Sequence, residues 1–375
     1  MKICVLSEDA YSIYENDNTA GGAELQMTIL AKELVRRSYD VSLITFGKTK
    51  NSFQIIDGVK VYYPFYIPNR GYVYLYPQNL YKLFKILNKI DADIYIQRAT
   101  TPLTGLVAFF AKLKNKTFIY SVSSNACVSD NLYIKRINDL KKLIYKFGVK
   151  NSKCVICQTN NQKDLLKQNI GKNGVIIKNI YIPPETKSSK KNTSFLKVLW
   201  VGRIIKEKRP ELFLKLAENL PNIDFCMIAS VGSSSKYSVK YYNDIKEAAN
   251  KINNLDFKGF VPYQEINKYY KESSLFINTS YVEGFPNTFL EAWGNYKPII
   301  TIDFDPDEII CRYKLGIHSK NFEQLIKDTE SLLKNDELRY EMGNNSRKYV
   351  EKEHNLNKIL NEYEHLIKNL VAKDE

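Results

Sequence analysis

Short apolar runs alternate along the chain with longer segments in which apolar residues recur every three or four positions. The runs predict buried strands, and the longer segments, such as the one with Leu25, Leu30 and Leu34, predict helices. For the first half we predict strands at 2–7, 40–46, 94–96, 117–120 and 154–157, and helices at 22–38, 79–90, 103–114 and 132–149. This alternation is typical of a parallel sheet covered by helices on both faces.

A polar segment that begins with two prolines interrupts the pattern and predicts a linker. After it we predict strands at 196–201, 223–229, 255–260, 274–279 and 297–302, and helices at 209–219, 238–252, 264–272, 287–295 and throughout 321–372. The fold class is therefore α/β, with two doubly wound, Rossmann-like domains facing across a ligand cleft, and C-terminal helices. The expected parts are a domain at 1–182, a linker at 183–195, a domain at 196–352, and a terminal helix at 353–375 that packs back on the first domain.

Composition limits the class of protein. A chain of 375 residues with 44% hydrophobic residues buries large cores, which excludes a disordered tail or a disulfide mini-protein. The six scattered cysteines fit a reducing compartment, and the CxxC spacing of Cys154 and Cys157 inside a predicted strand favours a structural role over redox or metal chemistry. We see neither a signal peptide nor a membrane-spanning run, so we expect a cytoplasmic protein that is at most peripheral to a membrane.

The charge is uneven along the chain. Lys and Arg number 55 against 41 Asp and Glu, a formal net charge of +14. Residues 1–185 hold 26 basic and 14 acidic residues, so most of the surplus lies in the first half. That half should meet an anionic partner. Nucleic acid is disfavoured because no arginine-rich patch or RNA-binding aromatic motif occurs.

Glycines mark the loop between the first strand and the first helix. Gly21 and Gly22 would let the backbone approach a ligand, and the following helix N-terminus would offer its N–H groups to an anion. The alternative is a tight turn that requires a positive φ. Neither domain opens with GxGxxG, so a nicotinamide-dependent enzyme has no support.

Cations and carboxylates mark the second domain. We expect its first strand to end at a turn at Gly202, so that Arg203 and Lys208 lie at the start of the next helix. Cations at a helix N-terminus oppose the helix dipole, and a bound diphosphate would offset this electrostatic cost. The alternative is a solvated basic face. Pro286 is predicted at the first position of a later helix, with Glu283 before it and Glu291 inside it. Carboxylates accept hydrogen bonds from sugar hydroxyls, so the combination favours a nucleotide sugar.

These residues resemble a known family. Glu283 and Glu291, with seven residues between them, resemble the E-x7-E motif of the retaining GT-B glycosyltransferases of family 4. The loop at 21–24 resembles that family's N-terminal glycine loop, and Arg203 with Lys208 resembles its Arg/Lys pair. The order and spacing agree over almost the whole chain.

The resemblance implies transfer of a hexose-type sugar, with retention, from a UDP- or GDP-sugar, without a metal or a cofactor. Arg203 and Lys208 would neutralise the donor diphosphate, Glu283 would lie against the donor sugar as the first catalytic candidate, and Glu291 would hold the ribose. The other implied donor contacts are Gly21, Gly22, Gly284, Phe285, Asn287 and Thr288. The alternatives are a nucleotide-sugar epimerase of the same fold and a catalytically silent homologue that acts as a partner subunit.

The chain departs from the family in one respect. Many relatives carry a histidine near the reacting carbon in the first domain, whereas the three histidines of this chain lie in its second half. Ser123 and Asn125 stand at the corresponding strand end, and Arg98 ends another strand; we expect these three on the acceptor side. Gln97, Gln158 and Thr159 are weaker candidates, and a structural or capping role is the alternative for such residues.

The acceptor is expected to be a glycan or lipid-linked oligosaccharide of bacterial surface polysaccharide assembly, such as capsule or lipopolysaccharide. Residues 62–81 contain seven tyrosines. In the segment 132–150 we predict a helix with basic residues around most of its surface. Its one apolar side is formed by Ile134, Ile137, Leu140, Ile144 and Phe147. Such a helix suits an anionic membrane surface, and a core-facing helix with a solvated basic side is the alternative.

Overall fold

A computed structural model describes residues 1–14, 21–47, 52–65, 75–129, 139–185, 196–232 and 236–372. The chain divides into two compact units. Unit 1 comprises Met1–Ile180 and Leu356–Glu375, and unit 2 comprises Tyr181–Asn355. The chain therefore leaves unit 1, forms unit 2, and returns to unit 1 with its last helix. Most of the linker segment predicted at 183–195 lies outside the described residues.

Unit 1 is built on an eight-stranded sheet of order β3-β4-β2-β1-β5-β6-β7-β8. Its strands are β1 (Lys2–Leu6), β2 (Asp40–Ile44), β3 (Phe53–Ile56), β4 (Val59–Tyr62), β5 (Ile94–Arg98), β6 (Thr117–Ser121), β7 (Cys154–Cys157) and β8 (Val175–Ile176). The expectation of a wholly parallel sheet is wrong at one edge, because β3 is antiparallel to β4. Asp57 and Gly58 join these strands with positive φ angles of 50° and 82°, the conformation that an Asp-Gly pair favours in a two-residue hairpin.

Helices cover both faces of this sheet. They are α1 (Tyr11–Tyr14), α2 (Gly22–Arg36), α3 (Pro77–Ile90), α4 (Leu103–Leu113), α5 (Asn125–Val128), α6 (Asp139–Asn151), α7 (Asn160–Ile170) and α15 (Leu356–Val371). α15 contributes Ile359, Leu360, Tyr363 and Ile367 to the same buried cluster as α2 and β1. An ion pair of 2.8 Å between Arg37 and Glu364 lies at the rim of this contact. The C-terminal helix is thus part of the unit 1 core.

The orientation of α6 differs from the amphipathic helix predicted from the sequence. Leu140 and Phe147, expected on the apolar side, are exposed, whereas Tyr145 and Val149 are fully buried. The reason lies in the packing of α6 on α4: a Cβ at Gly148 would lie 2.5 Å from the Thr104 carbonyl carbon, so the two backbones touch there. Ile134 and Ile137 lie outside the described residues.

Unit 2 is built on a six-stranded parallel sheet of order β11-β10-β9-β12-β13-β14. Its strands are β9 (Lys197–Ile204), β10 (Asp224–Val231), β11 (Leu255–Gly259), β12 (Leu275–Asn278), β13 (Ile299–Thr301) and β14 (Gly316–His318). Its helices are α8 (Pro210–Asn219), α9 (Lys236–Ala249), α10 (Tyr263–Glu272), α11 (Asn287–Gly294), α12 (Ile309–Arg312), α13 (Phe322–Lys334) and α14 (Asp336–Glu353). Both units are doubly wound, as the alternating pattern predicted.

Two further features bear on the expected class. In the part of the chain that the structure describes, no helix combines the length and the apolar character needed to cross a bilayer. Cys154 and Cys157 are buried free thiols of β7. Burial raises the pKa of Cys154 to about 11 and that of Cys157 to about 12, so both stay protonated near neutral pH. A structural role fits them.

Candidate functional site

The centre of the candidate site in unit 2 is an ion pair between Lys208 and Glu283. The Lys208 Nζ atom donates to Glu283 Oε1 at 2.6 Å, and the hydroxyl of Ser280 donates to the same oxygen at 2.7 Å. The side chains of Lys208 and Glu283 are 17% and 16% exposed. The structure therefore brings together two residues that lie 75 positions apart in sequence.

Backbone contacts hold this pair in place. Lys208 ends a 3-10 turn at Lys206–Lys208, and Glu283 lies in the loop between β12 and α11. The two segments are joined by the backbone N–H of Tyr281, which donates to the Glu207 carbonyl at 3.1 Å, and by the Thr279 hydroxyl, which donates to the Lys208 carbonyl at 2.5 Å. The distance between ammonium and carboxylate is thus set by the loops that carry them.

Gly202 has a different role from the predicted turn. β9 continues through Gly202 to Ile204, because Gly202 and Arg203 pair in register with Ala229 and Ser230 of β10. A Cβ at Gly202 would lie 3.0 Å from Lys208 Cδ and 2.9 Å from the Trp200 ring. The glycine therefore leaves room for the lysine side chain to pass close to the strand.

Arg203 and Arg209 differ in their surroundings. Arg203 is half-buried, and among the described residues its guanidinium has no hydrogen-bond or ion-pair partner. Arg209 has two polar partners: its Nε donates to the Thr279 carbonyl at 2.8 Å and its guanidinium pairs with Asp303. Arg203 is therefore the arginine of this segment that is available to an anion.

Glu291 lies in the fifth position of α11 and is 7% exposed. The hydroxyl of the buried Tyr270 donates to Glu291 Oε2 at 2.8 Å. Oε1 has no hydrogen-bond partner in the described part of the chain. Burial raises the pKa of the Glu291 carboxyl to about 7, against the lowering effect of the Tyr270 hydroxyl. One carboxylate oxygen is thus anchored and the other remains able to accept a hydrogen bond.

The residues between the two glutamates form the start of α11. Pro286 precedes this helix with an extended backbone, so the prediction that it takes the first helical position is wrong by one residue. Asn287 and Thr288 open the helix and are half-buried. Gly284 and Phe285 are buried, and the Phe285 ring packs against Trp293 and His354. The Phe285 ring is therefore part of the packing against these two residues.

The glycine loop lies in unit 1. Gly21 precedes α2 with φ −119° and ψ 178°, so the alternative of a turn that needs a positive φ does not apply to it. Gly22 begins α2, a helix of 15 residues.

The three acceptor-side candidates also lie in unit 1, at the carboxyl ends of its strands. Arg98 ends β5, is 5% exposed, and donates from its Nη2 to Asn179 Oδ1 at 3.0 Å. Its Nε and the Oδ1 of Asn125 are buried without a hydrogen-bond partner in the described regions. Ser123 lies 3.2 Å, oxygen to sulfur, from the Cys127 thiol.

Sequence reasoning missed the supporting residues. Ser280 and Tyr270 hold the two glutamates, but a hydroxyl carries no signal of such a role, whether it lies three residues from its partner, as Ser280 does, or 21, as Tyr270 does. The ion pair between Arg209 and Asp303 could not be predicted either, because these residues lie 94 positions apart in sequence. Gln97, Gln158 and Thr159 are buried; the Thr159 hydroxyl caps α7, the structural role that was the alternative for it.

Two family models match consecutive parts of the chain. Residues 20–181 match Glycosyltransferase Family 4, and residues 182–349 match Glycosyl transferases group 1. An uncharacterized glycosyltransferase of Haemophilus influenzae is 23% identical over 94% of this chain and 98% of its own length. The alpha-galactosylglucosyldiacylglycerol synthase of Streptococcus pneumoniae is 32% identical over 44% of this chain and 45% of its own.

Solved structures share the fold. Sucrose-phosphate synthase from Thermosynechococcus elongatus superposes with a TM-score of 0.82 over 100% of both chains, at 15% identity. The HepE protein of Anabaena, solved in complex with UDP-glucose, superposes with a TM-score of 0.74 over 98% of this chain and 100% of its own, at 13% identity. At these identities the similarity concerns the fold, which is GT-B.

Proposed function

The chain belongs to the glycosyltransferases of the family 4 and group 1 models, and from this premise we propose that it moves a hexose, with retention, from a nucleoside diphosphate sugar to a glycan or lipid-linked acceptor. The donor is a UDP- or GDP-sugar, and the setting is bacterial surface polysaccharide assembly. The observation that carries the proposal is the Lys208–Glu283 pair, together with Arg203 of β9, whose guanidinium has no partner among the described residues.

The residues of unit 2 take separate tasks in this reaction. Arg203 and Lys208 bind the donor diphosphate, the first bidentately and the second as a point charge. The bond from the anomeric carbon to the diphosphate breaks as the bond to the acceptor oxygen forms on the same face, and the departing phosphate takes the acceptor proton. Two cations beside the diphosphate stabilise the charge that develops there, so the reaction proceeds without added Mg²⁺ or Mn²⁺.

The two glutamates bind the neutral parts of the donor. Ser280 and Lys208 both donate to Oε1 of Glu283, and these two hydrogen bonds fix the orientation of the carboxylate and thus of Oε2. It accepts from the hydroxyls of the transferred sugar. Glu291 accepts from the ribose with Oε1 while Tyr270 holds Oε2. Gly284, Phe285, Asn287 and Thr288 add main-chain and polar contacts.

Unit 1 supplies the acceptor contacts. Arg98, Ser123 and Asn125 lie at the carboxyl ends of its strands, and the unpartnered atoms of Arg98 and Asn125 are suited to a polar acceptor. The similarity to a galactosylglucosyldiacylglycerol synthase supports a lipid-linked acceptor. The complex of HepE with UDP-glucose supports UDP as the first nucleotide to test.

We further propose that α4 and α6 of unit 1 bind a membrane surface, which would suit a lipid-linked acceptor. Five large apolar side chains of the packed helices α4 and α6 are exposed by 38–66%: Phe109, Leu113, Leu140, Leu143 and Phe147. The described residues of the ranges 103–129 and 139–153 include eight basic residues and one acidic residue. Apolar side chains within a basic surface bind anionic lipid, each cation contributing about 1 kcal/mol.

Of the tyrosines at 62–81, Tyr76 and Tyr81 are exposed, Tyr63 is buried, and Tyr66, Tyr72 and Tyr74 lie outside the described residues.

Vesicle sedimentation tests this surface. We expect the protein to bind vesicles of phosphatidylcholine and phosphatidylglycerol in equal parts, and not vesicles of phosphatidylcholine alone. Leu143→Ser with Phe147→Ser should abolish binding, whereas Ile55→Ser, which removes an equally exposed apolar side chain on β3, should not. Equal binding to both lipids, or equal loss in both variants, would contradict a membrane role for α4 and α6.

The reaction is tested with a panel of UDP- and GDP-sugars and a lipid-linked acceptor. A product in which the sugar is joined to the acceptor with the donor's anomeric configuration supports the proposal. Release of an isomeric nucleotide sugar would indicate the epimerase instead. Nucleotide binding without turnover, in the presence of every acceptor tried, would indicate the silent homologue.

A further inference from the structure

Three potential metal ligands meet in unit 2, away from Lys208 and Glu283. They are the carboxylate of Asp305, the thiol of Cys311 and the imidazole of His318, and their donor atoms all lie within 4.8 Å of one another. Cys311 is exposed, whereas Asp305 and His318 are half-buried. None of the three residues belongs to the motifs of the donor site.

The topology of the sheet brings these residues together. β13 and β14 are parallel neighbours in which Thr301 lies opposite His318. His318 and the chain that follows Thr301 therefore lie at the same carboxyl end of the sheet. Asp305 follows Thr301 by four positions. Its carboxylate accepts from the backbone N–H of Ile310 at 2.9 Å and from that of Cys311 at 3.2 Å, which holds α12 beside it.

We propose that Asp305, Cys311 and His318 bind one Zn²⁺ ion. Zn²⁺ takes thiolate, imidazole and carboxylate ligands in tetrahedral geometry, and three protein ligands leave its fourth position to water. The soft thiolate and the imidazole favour zinc over Mg²⁺ or Ca²⁺, which prefer oxygen ligands. In the described regions neither ring nitrogen of His318 has a hydrogen-bond partner, so the ring is available as a ligand.

The charges of the site balance. The carboxylate and the thiolate together neutralise the two positive charges of the ion, and the thiol proton passes to solvent when the metal binds. The site is therefore able to hold the ion without a second carboxylate.

The ion would connect three elements: the loop after β13, α12 and the end of β14. Asp303, two positions before Asp305, pairs with Arg209, whose Nε donates to the carbonyl of Thr279. Zinc at 305–318 would thus stiffen the loop that anchors Arg209, next to Lys208. We assign the ion the role of bridging these elements, because none of its three ligands belongs to the nucleotide-sugar site.

Titration of the metal-stripped full-length protein with Zn²⁺, under a reductant that does not bind metal, tests the proposal. We expect one ion per chain and a higher melting temperature with zinc. Cys311→Ser and His318→Asn should each weaken binding by at least about tenfold, which is the loss that even an outer contact of a zinc site causes. His365→Asn, which changes an exposed histidine of α15, is the matched control and should bind as the wild type does.

Co²⁺ in place of zinc gives a second readout. A thiolate-to-cobalt charge-transfer band should appear in the wild type and in His365→Asn, and should be absent from Cys311→Ser. No zinc binding by the wild type, or unchanged affinity in both Cys311→Ser and His318→Asn, would overturn the proposal. If Cys311→Ser fails to fold, the His318→Asn titration decides by itself. Sugar transfer is not part of this test.

Discussion

The Nζ atom of Lys208 and the Oε1 atom of Glu283 are joined by a hydrogen bond of 2.6 Å. Both side chains are mostly buried, so each charge is compensated chiefly by the other. A diphosphate that binds beside Lys208 would compete with Glu283 for its ammonium. The pair therefore couples donor binding to the position of the carboxylate, and the consequences for each partner can be measured separately.

Glu283→Gln should lower kcat more than it lowers nucleotide affinity. The amide keeps the shape of the side chain and an oxygen for Ser280, but it removes the charge that we propose faces the transferred sugar. We expect kcat to fall about 100-fold while the Kd for the nucleoside diphosphate changes less than about threefold. Steady-state kinetics and calorimetry provide the two values. An unchanged kcat would show that Glu283 has no part in the chemistry.

Arg203→Ala should weaken nucleoside diphosphate binding without loss of stability. Hydrogen bonds to charged groups contribute about 1.5–3 kcal/mol, so we expect a Kd about 10 to 100 times higher. The melting temperature should stay near that of the wild type, because Arg203 has no partner among the described residues. Lys206→Ala is the control: its ammonium lies over the Tyr237 ring, and its removal should leave the Kd unchanged. An equal change in Kd for the two substitutions would show that Arg203 is not part of the nucleotide-sugar site.

Glu291→Gln should alter how stability depends on pH. The folded protein binds the Glu291 proton up to about pH 7, whereas the carboxyl has an ordinary pKa of 4.5. This contribution to the free energy of unfolding is complete below pH 4.5 and is lost as the pH rises through about 7, a loss of about 3 kcal/mol. Urea unfolding at low and high pH should show this loss in the wild type and not in Glu291→Gln.

The exposed Glu265→Gln serves as the control for that measurement, since its carboxyl lies on the surface of α10. It should retain the pH dependence of the wild type. A wild type and a Glu291→Gln variant with parallel pH profiles would mean that this carboxyl titrates normally in the folded protein.

Gly148→Ala should destabilise unit 1, although alanine favours helices. The added Cβ would lie 2.5 Å from both the carbonyl carbon and the oxygen of Thr104, which are backbone atoms and cannot move aside. We expect a loss of about 1–3 kcal/mol in the free energy of unfolding. Lys150→Ala, at an exposed site of the same helix, should change it by less than about 0.5 kcal/mol. Urea midpoints that agree for both variants would contradict the close packing of α4 and α6.

The alternation of apolar periods was sufficient to predict two doubly wound units and most of their helices and strands, but it missed α7 and the short strands β3, β4, β8 and β14. Local chemistry carries this information, because burial on one side of a strand or helix imposes a period on the residues themselves. The segments that carry Gly21, Arg203, Glu283 and Glu291 were recognisable for the same reason: each lies where a strand ends and a helix begins.

Contacts between distant segments required the folded chain. The pairing of Lys208 with Glu283, the engagement of Arg209 by Asp303 and the anchoring of Glu291 by Tyr270 all join residues brought together by strand order. The exposed face of α6 was mispredicted because the periodic pattern does not tell which helix lies alongside. Such outcomes depend on packing and register between elements, and a one-dimensional pattern contains neither.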